Sequence, residues 1–106
     1  MLPKHRRPTA PGEILKHEFL KPLNITQKQL ADALGVTRVR INEIILGKRS
    51  ITPDTAFRLA RYFNTTPEFW IGLQVDIHMW DTLDLNKYDY DKIKPANTVG
   101  NDYAVL

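Results

Sequence analysis

Apolar positions recur along the chain at helical spacing, in five stretches separated by polar, turn-forming residues. Leu15 and Phe19 stand four apart behind Pro11, which suits the first position of a helix, and Glu13 favours the positive end of the helix dipole. This first helix is expected to run to about Leu20, with Pro22 stopping it. Leu30, Ala31 and Leu34 share one face of a second helix. Thr26 and Gln29 form a Thr-x-x-Gln capping box at its start, and Gly35 ends it in the left-handed region. Thr37 caps a third helix, Ile41, Ile44 and Ile45 give it a buried face, and Gly47 closes it. Thr52, Pro53 and Asp54 open a fourth, where Ala56, Leu59, Ala60 and Phe63 fall at i, i+3, i+4, i+7. Asn64 supplies its left-handed exit.

Thr66, Pro67 and Glu68 repeat the same capping device before a fifth helix, expected to reach about Trp80. This helix carries two apolar arcs. Phe69, Trp70, Leu73, Ile77 and Trp80 share one arc of about 100°, while Ile71, Val75 and Met79 share another on the far side. One arc can cover the core of a small domain. The other, with Trp80 able to serve either, predicts a twofold contact with a second copy through Ile71, Val75, Met79 and Trp80. From Thr82 to Leu106 the pattern dissolves. Tyr88 and Tyr90 alternate with Asp89 and Asp91 as in a short strand or an extended segment, and Pro95, Asn97 and Gly100 forbid a long regular element beyond them. The expected organisation is a flexible basic arm over 1–10, an all-α domain over 11–81 and an acidic, partly ordered tail over 82–106.

The second and third helices, joined by a tight glycine turn and apolar on their facing sides, read as a helix-turn-helix. With Arg38 at 0°, Asn42 falls at about 40°, Val39 at about 100° and Glu43 at about 140°, whereas Ile41 and Ile44 fall at about 300° and 240°. Arg38 can give guanine two hydrogen bonds, Asn42 can read adenine, and Val39 can touch a thymine methyl. An ordinary solvated helix face would show similar charges; the helix-turn-helix spacing favours a groove reader. Arg40, at about 200°, borders the buried arc and suits a phosphate or a partner better than a base. Gln27, at a helix N-terminus, together with Lys48 and Arg49 after the third helix, are candidate phosphate contacts, although Lys48 and Arg49 could equally be generic surface charge.

The charge distribution sharpens this. The 106 residues carry a net +3, but residues 1–63 hold twelve Lys/Arg against five Asp/Glu (+7) and residues 64–106 hold three against seven (−4). A basic first half suits a polyanion, and the acidic second half should face away from it. Cysteine is absent, which excludes disulfides and thiolate metal sites. No apolar run approaches the ~20 residues of a membrane span, and the N-terminus lacks the apolar stretch of a secretory signal, so a cytoplasmic location is expected. Asp76, Asp81, Asp84, Asp89 and Asp91 match no calcium loop, and His5, His17 and His78 form no ligand pair. No phosphate cradle or nucleophile elbow is present, so no metal, cofactor or catalytic site is expected.

The chain resembles the HigA-type antitoxins, also called virulence-associated protein I, a branch of the Xre/Cro-like (lambda-repressor-like) helix-turn-helix family. The likeness spans about residues 7–81 and rests on PGEIL at 11–15, TQKQLADALGV at 26–36, NEIILGKRSITPDTAFRLARYF at 42–63 and TTPEFWIGLQ at 65–74. The resemblance implies a five-helix dimer, not an enzyme, that represses its own operon by binding double-stranded operator DNA and neutralises a small basic mRNA-cleaving toxin. It also implies that Gln27, Thr37, Arg38 and Val39 touch DNA. The sequence departs from the branch at Ala10, usually histidine, at Leu46, usually polar, and at Val39 and Arg40, usually small. Two other readings remain. A free-standing Xre-type repressor without a toxin would share every DNA feature, and an adaptor that has lost DNA binding would use its acidic tail instead.

Overall fold

The computed structural model describes residues 6–96, and among them every regular element is helical. Helix α1 spans 11–23 in three segments: Pro11–Ile14, a π-helical turn Leu15–Leu20, and Lys21–Leu23. It is followed by α2 (Gln27–Leu34), α3 (Arg38–Ile45), α4 (Pro53–Phe63) and α5 (Pro67–Asp91). The caps lie where the sequence put them. Thr26 Oγ1 accepts from the Gln29 backbone N–H at 3.0 Å while Gln29 Oε1 accepts from the Thr26 N–H at 2.9 Å, completing the box. Thr37, Thr52 and Thr66 cap the next three helices through their hydroxyl oxygens. Gly35, Gly47, Asn24 and Asn64 take the left-handed conformation that turns the chain at helix ends.

The core gathers one face of each helix. Leu15, Leu30, Ala31, Ile41, Ile44, Ala56, Leu59 and Trp70 are fully or almost fully enclosed. Trp70 satisfies its one polar atom by donating from Nε1 to Thr65 Oγ1 at 2.8 Å, so burying the indole strands no donor. Phe19 rests on Phe63 and on Trp70 with ring centroids 4.8 and 4.9 Å apart, which ties α1 to α4 and α5.

Two boundaries differ from expectation. Pro22 does not stop α1 at Leu20; the helix passes through it to Leu23. The preceding turn is already π-type, with the Lys21 N–H reaching back to Lys16 O, and this wider ladder accommodates the proline ring. At the other end α5 does not stop near Trp80, and the Tyr88–Asp91 alternation is neither strand nor extended segment. The helix continues to Asp91. Residues 81–91 contain no glycine or proline, Asn86 Nδ2 donates to Thr82 O at 2.9 Å, and Lys87 pairs with Asp91 one turn on. Irregular chain begins at Lys92, ahead of Pro95, and residues 97–106 of the expected tail lie outside the described residues. Of the basic arm, residues 1–5 also lie outside them. Arg7, expected to be loose, grips Asp81 of α5 with two hydrogen bonds of 2.8 Å.

Candidate nucleic-acid interface

The tight turn at Gly35 (φ 70°) sets α3 across the end of α2, and the buried isoleucines of α3 fix which of its sides looks outward. That outward side carries Arg38, Val39 and Asn42, all exposed, with Val39 showing 65% of its surface. Gln27, the first residue of α2, joins them: its Oε1 accepts from Asn42 Nδ2 at 3.2 Å. The starts of the two helices therefore form one continuous surface, with free N–H groups of α2 beside Gln27. Arg38 and Lys48 have no ion-pair partner among the described residues, so both cations are available to phosphate or base.

Other expected site residues are engaged within the chain. Arg40 turns from the groove face and donates to Asp54 Oδ2 at 3.0 Å and to Thr55 Oγ1, pinning α3 to the first turn of α4. Arg49 donates twice to Glu43 Oε1, at 2.9 and 3.1 Å, which neutralises the one acid on the groove face. Thr37 spends its hydroxyl oxygen capping α3.

Three supporting contacts were not legible in advance. Arg58 donates to Asp54 at 2.9 Å and to Leu34 O at 2.7 Å, so one guanidinium satisfies a bare carbonyl at the end of α2 and ties it to α4. Arg40 and Arg58 together hold the Asp54 carboxyl below the ordinary carboxylate range. Gly12 lies directly on the end of α3: a Cβ there would stand 2.3 Å from Ile44 O and 2.6 Å from Ile45 O. Only the Pro-Gly-Glu motif around it hinted at this approach. Gln74 of α5 accepts from the Ile51 N–H at 2.8 Å, anchoring the segment that follows Lys48 and Arg49. Among the described residues no cluster of His, Asp and Glu could hold a metal ion, and no helix is long and apolar enough to cross a membrane.

An exposed, basic recognition helix on a packed support is the architecture of a helix-turn-helix regulator, and residues 17–70 match the family model described as helix-turn-helix. The chain is 41% identical over 90 residues to the antitoxin HigA-1 of Vibrio cholerae, covering 85% of each protein. It is 44% identical over 94 residues to an uncharacterised helix-turn-helix transcriptional regulator of Haemophilus influenzae, covering 86% of this chain and 87% of that one. Its fold matches that of the Pseudomonas aeruginosa antitoxin HigA, solved with the higBA promoter, with a TM-score of 0.81 and 38% identity over 85% of this chain and 99% of that one. The chain belongs to the Xre/Cro-like helix-turn-helix family, in its HigA-type antitoxin branch, and is not an enzyme.

Proposed function

We propose that this protein is the antitoxin of a toxin–antitoxin pair: a cytoplasmic dimer that represses its own operon and neutralises a small basic mRNA-cleaving toxin. The observation that carries the DNA half is the shared outward surface of Arg38, Val39, Asn42 and Gln27. Two bidentate-capable side chains and an apolar one stand there on a helix of groove-fitting width. Lys48 and the amide end of α2 grip the phosphates, with Thr37 and Arg49 beside them. Glu43 and Arg40 shape the surface rather than read bases. The P. aeruginosa relative, solved with a promoter, supports this assignment.

The dimer half rests on α5. Val75 and Met79 are about half exposed, and Ile71 and Val75 line an apolar groove with Phe57, Pro53 and Pro67. Ile71, Val75 and Met79 form the twofold contact, with Trp80, half-buried, at its edge. The −4 second half steers a basic ribonuclease toxin into the complex.

Gel shifts with the protein's own promoter at two salt concentrations test the DNA half. Specific retardation that weakens steeply with salt is expected, and its absence overturns the assignment. Co-expression with the neighbouring small basic reading frame tests the toxin half. A neighbour that is harmless by itself, or that the protein does not bind, leaves a free-standing repressor, the reading favoured by the Haemophilus influenzae relative's description as a regulator.

A further inference from the structure

Two features have no role in the groove surface: a trough on the outer side of α4 and the last turns of α5. The trough, about 670 Å³, lies between the end of α2 (Ala33, Leu34) and Asp54, Phe57, Arg58, Arg61 and Tyr62 of α4. Phe57 and Tyr62 are exposed there, and Arg61 has no ion-pair partner among the described residues. Phe57 also lines the apolar groove that holds Ile71 and Val75, so trough and groove adjoin at its ring. Beyond Thr82, α5 leaves the domain and exposes Leu83, Leu85, Tyr88 and Tyr90 among Asp84, Asp89 and Asp91. In the trough Asp54 and Arg58 neutralise each other, which leaves Arg61 as its uncommitted charge among the described residues. On the arm Lys87 takes up Asp91, and Asp89 meets Lys92 only at 4.0 Å, so Asp84 and Asp89 are the acids open to a cation.

An arm cannot reach the trough of its own chain. Asp89 stands about 33 Å along an unbroken helix from Pro67, whereas Arg61 lies just before that helix begins. Complementary surfaces held apart on one rigid chain are satisfied by a second copy, and under a twofold axis both arms are satisfied at once. We propose that in the dimer the distal part of each α5 lies in the α4 trough of the other copy, a reciprocal clasp. This rests on the twofold contact through Ile71, Val75 and Met79. An axis near Val75 pairs positions equally far from it on two antiparallel helices. Thr82 of one copy then passes Glu68 of the other, and the following turns run beyond the start of α5 onto Arg61 and Tyr62.

The test is sedimentation equilibrium of the full chain, with circular dichroism to confirm that each variant stays helical. Arg61→Glu and Asp89→Arg are each expected to weaken dimerisation about tenfold, since each removes two symmetric ion pairs and adds repulsion. The double variant Arg61→Glu/Asp89→Arg is expected to recover most of the loss. The two positions are too far apart within one copy to restore each other, so recovery has to cross the interface. Single variants with an unchanged dimer constant, or a double variant no tighter than the singles, overturn the clasp while leaving the dimer standing. An Arg61→Glu variant that stays dimeric but releases the co-expressed toxin gives the trough to that partner and also overturns it. A wild-type chain that is monomeric at micromolar concentration instead removes the twofold contact itself, and the clasp with it.

Discussion

Single side chains decide both how this surface reads and whether it forms. Arg38 projects from the first turn of α3 with no intramolecular partner among the described residues, so its hydrogen-bonding capacity is uncommitted until DNA arrives. Arg38→Ala should cost roughly 1–3 kcal/mol of specific binding and relax base preference at one position per half-site. Lys48→Ala should weaken all sequences about equally and flatten the salt dependence. Gel shifts with operator and scrambled duplexes separate the two effects, and unchanged binding by Arg38→Ala would refute the groove assignment. Gly12 acts through what it lacks. With Ile44 O 2.3 Å from where a Cβ would stand, Gly12→Ala must push α1 off the end of α3. Overpacking against backbone costs about 1–3 kcal/mol or more. Thermal melts should show the loss, and DNA binding should fall with it because α3 shifts.

Ion pairs at the residue scale also set the acid limit. Asp54 is held below its usual range by hydrogen bonds from Arg40 and Arg58, and Asp81 by those from Arg7. A carboxyl whose pKa is lower folded than unfolded contributes stability above the unfolded value, about 3.9, and loses it as pH falls through the folded value. The melting temperature should therefore drop as pH falls from about 5 towards 2, and less steeply in Asp81→Asn than in wild type. Equal slopes would mean that the Arg7 clasp contributes nothing in solution.

Among the elements, α2 and α3 form because every local signal agrees. The capping box at Thr26, the left-handed Gly35 and the apolar spacing of Leu30, Ala31 and Leu34 each specify the same helix. Thr26→Ala removes one half of that box and should cost about 1 kcal/mol, with the Gln27 end of the interface fraying first. Urea unfolding followed by circular dichroism would measure it. Their relative placement has a different origin, since α4 supplies Arg58 to the end of α2 and Asp54 to Arg40 of α3. Helix α5 has two parts with separate tasks. Its first half buries Trp70 and Ile77 against the domain, while Val75 and Met79 face out. Replacing Val75 and Met79 by Asp should yield monomers in sedimentation that keep their helical signal, because neither side chain supports the core.

For the whole molecule, the extents of 54 × 27 × 22 Å come from one long helix projecting from a compact bundle. Two bundles related by a twofold axis through α5 would present their α3 helices to successive major grooves, with half-sites roughly 34–36 Å apart. Footprinting of the promoter should show two protected tracts at that spacing; one tract alone would argue against a dimeric reader. The distal arm gives the toxin question a structural form. If neutralisation depends on the bulk of a bound dimer, rescue of cells from the toxin follows dimerisation, falling in a full-length Arg61→Glu chain as it does in a chain ending at Thr82. If the arm itself makes the contact, the chain ending at Thr82 fails to rescue while full-length Arg61→Glu still rescues.

The sequence by itself determined what is encoded within a turn or two. Five helices, the threonine caps of the last four, the Gly35 turn, the inward isoleucines of α3 and hence the outward Arg38, Val39 and Asn42 all follow from spacings of three or four residues. Local rules failed where a local signal competed with a wider one. Pro22 marked a stop that a π turn absorbed, and the Tyr–Asp alternation of 88–91 imitated a strand in a stretch with nothing to break a helix. Tertiary structure alone decided the partners of charged side chains. Arg40, Arg49 and Arg58 are equally basic in the sequence, yet Asp54, Glu43 and the Leu34 carbonyl claim them at separations of 14, 6 and 24 residues. Among the described residues, only Arg38 and Lys48 of the expected cations keep their charge for a partner. A guanidinium reaches several ångströms in any direction, so its contacts depend on which elements pack beside it, and that is fixed only once the core has closed.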